Sequence, residues 1–179
     1  SQSSSTCTQY LQAVGVAMGI MRDKVDEVVY VSSGEGATSQ GDFHEALNWA
    51  SRERMPVVFH IENNRYAISV PVEDQTAGGS VYKMIQGYEG LAKFQVDGTD
   101  FFAVYDTMMA AVKRARMGAG PSVVVSDVVR LMAHSSSDDP RKYRSQTDIE
   151  KDKARDPLKR FIEICGKRAG IKQEEFDAI

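Results

Sequence analysis

Two polar stretches of the 179-residue chain carry residues able to hold a charged ligand, and each follows an apolar run. The first is Ser33-Gly34-Glu35-Gly36-Ala37-Thr38, after Val28-Val29-Tyr30-Val31. The second is Glu62-Asn63-Asn64-Arg65-Tyr66, after Val57-Val58-Phe59-His60-Ile61. Glycines at 34 and 36 let main chain approach a ligand closely. A carboxylate between them would repel a bare pyrophosphate, and the third glycine of a dinucleotide-binding GxGxxG is missing. A P-loop needs Gly-Lys followed by Ser or Thr, which is also missing. The remaining arrangement has Glu35 facing a cation and the cation facing a diphosphate. Magnesium takes oxygen ligands in near-octahedral geometry and shares its shell with phosphate oxygens, so this arrangement asks for a second oxygen donor, and Asn64 offers one. Either stretch alone is more often an ordinary turn or loop. The expectation of a shared ion rests on both, one helix and one strand apart.

That spacing requires particular elements to position it. Residues 27–33 and 57–61 are short apolar runs and predicted strands. Between them 42–54 is a predicted helix: Phe43, Ala46, Leu47 and Ala50 share one face, Asp42 suits the positive end of the helix dipole, and Pro56 follows as a stop. A third strand is expected at 94–96, a turn and cap at Asp97-Gly98-Thr99-Asp100, a long helix over 101–117 and a fourth strand over 122–130. Residues 9–22 predict a buried helix whose Gly15 and Gly19 would admit another element at close range. From 132 to 154 the chain turns polar and is expected to form one long mobile loop, with helices over 156–179. Apolar strands alternating with helices predict an α/β domain over 1–179, a parallel sheet with helices on both faces and right-handed crossovers. In such sheets ligands bind beyond the carboxyl ends of the strands, where both polar stretches fall.

Residues 34–50 (GEGATSQGDFHEALNWA) and 56–71 (PVVFHIENNRYAISVP) closely resemble the thiamine-diphosphate motif of one family, the alpha subunit of the decarboxylase component of 2-oxo acid dehydrogenase complexes. Glu35 stands where most relatives carry aspartate. This GEG form is common in branched-chain members, so the resemblance favours the branched-chain type. It implies a thiamine-diphosphate-binding fold with magnesium held by Glu35, the Asn64 side chain and the Tyr66 carbonyl. Gly34, Gly36 and Ala37 would lie beside the diphosphate, and Ala67 and Ile68 near the aminopyrimidine ring. The stretch 130–145 (RLMAHSSSDDPRKYRS) has the family's order of histidine, hydroxyl tract, Asp-Asp and Tyr-Arg. By that match His134 lies near the cofactor and is catalytic, assisting proton transfer. Arg130, Tyr143 and Arg144 would order the loop or contact phosphate and an incoming lipoyl domain. Ser135 matches a position phosphorylated in animal relatives. At the start of the chain, Ser4 and Thr6 match cofactor contacts, and Ser3, Thr8 and Gln9 match a potassium site.

The implied activity is decarboxylation of a branched-chain 2-oxo acid with transfer of the acyl group to lipoyl. The implied partners are a beta subunit in an alpha2-beta2 assembly and the lipoyl domain of the acyltransferase component. A pyruvate or acetoin dehydrogenase alpha subunit is the alternative within the class, and an inactive structural or docking fragment is the alternative outside it. Composition agrees with a single globular domain: 42% hydrophobic, 26% charged, net charge −3. No basic excess points to nucleic acid and no apolar run is long enough for a membrane helix. Cys7 and Cys165 are far apart and form no CxxC, which argues against a disulfide framework or zinc site. The chain opens in the loop-like SQSSST and stops within a helical pattern. A fragment of a longer polypeptide is therefore expected, inactive alone, and cytoplasmic in a bacterium or in the mitochondrial matrix of a eukaryote, not secreted. His44, His60, Trp49, Met108 and Met109 read as packing or partner-facing residues.

Overall fold

A computed structural model describes residues 5–178. Helix α1 (Gln9–Asp23) leads into strand β1 (Val29–Gly34), a 3-10 turn over Glu35–Ser39, helix α2 (Gly41–Glu53) and strand β2 (Val57–Asn63). A small hairpin, β3 (Tyr66–Ala67) and β4 (Val70–Pro71), is followed by the short helices α3 (Val72–Gln75) and α4 (Val81–Met84). Then come β5 (Ala92–Asp97), α5 (Phe101–Arg116) and β6 (Ser122–Asp127), and finally α6 (Gln146–Ala154), α7 (Pro157–Ala169) and α8 (Gln173–Asp177).

Four strands form one parallel sheet in the order β1-β2-β6-β5. The register sets Gly34 beside Glu62, and Asn63 and Asp97 beside Asp127. All four carboxyl ends therefore reach one rim together, and the residues just past β1 and β2 become neighbours. One face of the sheet is covered by α1 and α2. Tyr10 of α1 lies edge-on to Phe43 of α2 and stacked on Phe59 of β2, at centroid separations of 5.4 and 5.7 Å. Phe43, Ala46, Leu47 and Ala50 are fully buried, the face that the sequence marked for α2. A wholly buried side chain such as Phe43 or Leu47 contributes about 1.5–3 kcal/mol, so this layer fixes the height of the rim loops. On the other face α5 sets Ala111 against Val58 and Val124.

Three expectations need correction. Among the described residues, nothing beyond α1 itself packs on Gly15 and Gly19: no such atom lies within 4 Å of where a Cβ would sit on either. The helix is buried through Tyr10, Ala13, Val14 and Ala17, while Val16, Met18 and Met21 are exposed. The polar stretch 132–154 is not one loop, since its second half is α6. Ser145 caps that helix, its Oγ accepting from the Asp148 N–H at 3.1 Å. The helix buries a charge instead of an apolar stripe: Asp152 meets Arg144 at 2.5 Å, with both side chains under 5% exposed. An amphipathicity reading has nothing to detect there. Finally, β6 ends at Asp127 rather than 130, because its partners β2 and β5 end beside it at Asn63 and Asp97.

The C-terminal helices are tied to the sheet through Asp97. Arg155 and Arg160 reach its carboxylate at 2.9 and 2.7 Å, and Thr99 donates to it from both N and Oγ1. Arg160 also donates to Thr99 Oγ1. Burial alone would raise the pKa of Asp97, but these donors outweigh it and hold the carboxyl well below its usual range. A depressed folded-state value means stability that is present above the unfolded pKa of about 3.9 and lost as pH falls through the folded one. Asp97→Asn should therefore lower Tm at pH 7 by roughly 2–4 °C, a modest figure because these groups are partly exposed. Thermal melts from pH 7 to 2 should show that gap to the wild type closing below about pH 4; a gap independent of pH would refute the assignment.

Candidate active site at the sheet rim

Glu35 opens the 3-10 turn directly after β1 and is 1% exposed. Its Oε2 accepts from the Asn64 N–H at 3.1 Å, so the two polar stretches touch. Its Oε1 is buried without a hydrogen-bond partner. Desolvation raises the pKa of this carboxyl; main-chain N–H groups of Glu35, Asn64 and Tyr66 and the charge of Arg130 oppose the rise without cancelling it. The asparagine pair divides its work. Asn63 faces the sheet, with Nδ2 donating to Asp127 at 2.8 Å and Oδ1 accepting from the Arg65 N–H at 3.2 Å. Asn64 faces the rim, with Oδ1 accepting from the Tyr66 N–H at 3.0 Å and so shaping the turn into β3. Gly36 packs under that hairpin, and a Cβ there would lie 2.8 Å from Ala67 Cβ.

These residues border a cavity of about 560 Å³. Thr6, Gln9, Gly34, Glu35, Gly36, Ala37, Asn64, Tyr66, Ala67, Ile68 and His134 all line it, bringing nearly every expected site residue to one place. Thr8 is outside the lining, with its N–H on the Ser5 carbonyl at 3.4 Å at the start of α1. Ser3 and Ser4 lie outside the described residues. Ser5, Cys7, Ser33 and Gln40 also line the cavity and were not anticipated. Burial pushes the Cys7 thiol up to about 11, and its side chain packs in the core beneath α1.

The donor set suits a hard cation. An unpaired buried carboxylate oxygen is costly, a cation beside Oε1 would satisfy it, and an amide oxygen such as Asn64 Oδ1 has a second lone pair beyond the one used. Among the described residues no cluster of three or more His, Cys, Asp or Glu side chains is placed to hold a metal. A mixed set of carboxylate, amide and main-chain oxygens is the kind magnesium accepts when phosphate completes its shell.

The exposed His134 enters from the segment after β6, and Arg130 locks that segment to the hairpin. Its guanidinium donates to the Ile68 carbonyl and to Tyr143 Oη, both at 2.7 Å, and lies over the rings of Tyr66 and Tyr143 at 5.3 and 5.6 Å. Tyr143 Oη donates to Asp138 at 2.7 Å, and Asp138 accepts from the His134 N–H at 2.9 Å. Arg130 and Tyr143 thus order the loop. Arg144 is buried on Asp152 and over Tyr66 and does not line the cavity. His60 bonds Tyr30 and Ser126 at 2.7 and 2.8 Å, and His44 bonds Tyr88 at 3.0 Å; both lie away from the cavity.

The chain is similar to known proteins. The family model described as Dehydrogenase E1 component matches residues 1–179. A 3-methyl-2-oxobutanoate dehydrogenase subunit alpha from Mycobacterium tuberculosis is 44% identical over 154 residues, which is 86% of this chain and 42% of the relative. A 2-oxoisovalerate dehydrogenase subunit alpha from Bacillus subtilis is 39% identical over 98% of this chain and 52% of its own length. A pyruvate dehydrogenase E1 component subunit alpha from the same organism is 37% identical over 95% and 46%. An X-ray structure assigned as a thiamin diphosphate-dependent enzyme from Mycobacterium smegmatis superposes with a TM-score of 0.51 at 26% identity, over 68% of this chain and 22% of that one. The four-stranded parallel sheet with its helices places the chain in the α/β class, with a fold similar to that enzyme's. The chain belongs to the dehydrogenase E1 component family, and it spans about half the length of the curated relatives it matches.

Two substitutions probe the rim. Glu35→Gln keeps an acceptor for Asn64 and removes a buried charge, so the ligand-free Tm read by differential scanning fluorimetry should rise by about 2 °C or more. Gly36→Ala forces overpacking against Ala67 and should destabilise by about 1–3 kcal/mol. The double variant Gly36→Ala with Ala67→Gly should recover most of that loss in urea unfolding, and no recovery would show that Gly36 serves something other than this contact.

Proposed function

We propose that this chain is the cofactor-binding part of an alpha subunit that, with a beta subunit, decarboxylates a branched-chain 2-oxo acid and passes the acyl group to a lipoyl domain. The observation that carries the reading is the unpaired, buried Glu35 Oε1 beside Asn64 in a cavity that His134 also lines. When bound, thiamine diphosphate supplies a carbon nucleophile and an electron sink for decarboxylation. The protein's share is placement and charge. Glu35, Asn64 Oδ1 and the Tyr66 carbonyl hold magnesium, and Gly36 and Ala37 present main chain to the diphosphate. Ala67 and Ile68 form the apolar side of the cavity against the aminopyrimidine. His134 moves a proton during acyl transfer, a role worth about 10²–10⁴-fold in rate. Thr6 is a further cofactor contact. Potassium at Ser3, Thr8 and Gln9 and a cofactor contact from Ser4 belong to the same proposal: Gln9 Nε2 is already bonded to the Ser32 carbonyl at 3.4 Å, which leaves its oxygen for a cation.

The exposed face of α1, with Val16, Met18 and Met21 beside the glycines, supports a partner subunit. Branched-chain substrates are favoured by Glu35 in the GEG form. Pyruvate is the second reading, supported by the similarity to pyruvate dehydrogenase alpha subunits. The full-length alpha chain, co-expressed with its beta subunit, should release heat on titration only when magnesium and thiamine diphosphate are both present. Steady-state assays should give kcat/KM for 3-methyl-2-oxobutanoate roughly tenfold or more above that for pyruvate. The reverse ratio would replace the branched-chain assignment with the pyruvate one, and no binding in the wild-type assembly would remove the cofactor reading itself.

A further inference from the structure

Helix α3 ends at Gln75, in a stretch that gave no functional signal as sequence. Its carboxamide reaches back to the 3-10 turn after β1. Nε2 lies 3.2 Å from the Glu35 carbonyl oxygen, 3.3 Å from the Gly36 carbonyl oxygen and 2.9 Å from Ser39 Oγ. Three acceptors converge on a group with two protons. The other end of the side chain, Oε1, is buried with no partner. A side chain that only filled space would not leave its oxygen unpaired in order to crowd its nitrogen with acceptors.

What those acceptors control follows from peptide geometry. A trans peptide is planar, so its C=O and N–H point in opposite directions. Holding the Glu35 carbonyl fixes the Gly36 N–H, and holding the Gly36 carbonyl fixes the Ala37 N–H, each directed away from Gln75. Gly36 and Ala37 line the cavity and Gln75 does not. The same grip sets the main chain from which the Glu35 side chain departs. Thr38 Oγ1 adds a second bond to the Glu35 carbonyl at 2.7 Å, whereas Gln75 is the side chain bonded to the Gly36 carbonyl.

We infer that Gln75 is a positioning residue for the cofactor site: its amide holds the peptide planes 35–36 and 36–37 so that two N–H groups and the Glu35 carboxylate are presented together to a diphosphate and its cation. The inference rests on the proposed reading of the cavity as a thiamine-diphosphate site. Gln75 touches neither substrate nor cofactor and acts through the turn.

The test uses the full-length alpha chain assembled with its beta subunit. Calorimetric titration with magnesium and thiamine diphosphate is compared for wild type, Gln75→Met and Gln75→Glu, alongside ligand-free Tm. Methionine keeps the length and volume but cannot donate, and should weaken binding about tenfold. Glutamate keeps the shape but sets a negative charge against two carbonyls, and should weaken it further. The loss should fall on cofactor affinity more than on kcat at saturating cofactor. If Gln75→Met does not assemble, Gln75→Glu carries the same titration. Wild-type affinity in either assembled variant, with or without a lower ligand-free Tm, would leave Gln75 a packing residue and overturn the inference alone. A wild-type assembly that binds nothing would overturn the cofactor reading beneath it.

Discussion

A single carboxylate in an unfavourable position organises this structure. Glu35 is carried below the surface of the rim by the turn after β1, one oxygen is held by the Asn64 N–H, and the other has no partner. A buried acid left half-satisfied destabilises a fold by itself. The surroundings hold it there nonetheless. Parallel pairing of β1 with β2 sets the height of both loops, and the Tyr10–Phe43–Phe59 cluster fixes the sheet from below. Gly36 allows the hairpin to lie on the turn at a separation that any side chain would prevent. Each contact keeps that carboxylate in place at the rim.

The second half of the site is assembled by arginines. Arg130 joins the hairpin at Ile68 to the loop at Tyr143, and through Asp138 to the main chain of His134. Arg144 and Arg65 converge on Asp152, which also accepts from the Arg130 N–H at 3.4 Å. The loop is thus held at its base by a buried ion pair and by Arg130 against two neighbouring tyrosine rings. Pairs of this kind are poor sources of net stability, because desolvation offsets much of the attraction, but removing one partner leaves an uncompensated charge. Their effect here is geometric, bringing His134, about seventy residues beyond the end of β2, to the cavity formed after β1.

Much of this was legible in the residues. The strands are apolar throughout because both faces of a parallel sheet are covered, and the 3.6-residue spacing of Phe43, Ala46, Leu47 and Ala50 marked α2 without ambiguity. Glu35 and Asn64 could be paired because parallel order places successive loops at one rim. What escaped reading shares a cause. The β3–β4 hairpin turns at Ile68-Ser69, which has neither of the residues that usually mark a tight turn, and Ile68 adopts a positive φ that its branched side chain disfavours. Gln75 sits in a four-residue helix with no periodicity to mark it. Helix α6 buries Asp152 and little else. The exposure of Gly15 and Gly19 was misjudged because an apolar face looks the same whether its own chain or another protein covers it.

Backbone strain follows the same division. Among the described residues, five other than glycine have positive φ. Lys24 and Arg54 are the residues that end α1 and α2, where a left-handed conformation is the common way to finish a helix. Cys7, Arg65 and Ile68 have no such reason, and all three flank the cavity or its entrance turn. Residues in this region cost of order 1–3 kcal/mol each and persist only where neighbours over-determine them. Here the neighbours can be named. Cys7 is wholly buried beneath the start of α1. The Arg65 N–H is held by Asn63 and its guanidinium by Asp152. The Ile68 carbonyl is held by Arg130. The ordinary left-handed residues lie at the far ends of helices, and the strained ones ring the cavity.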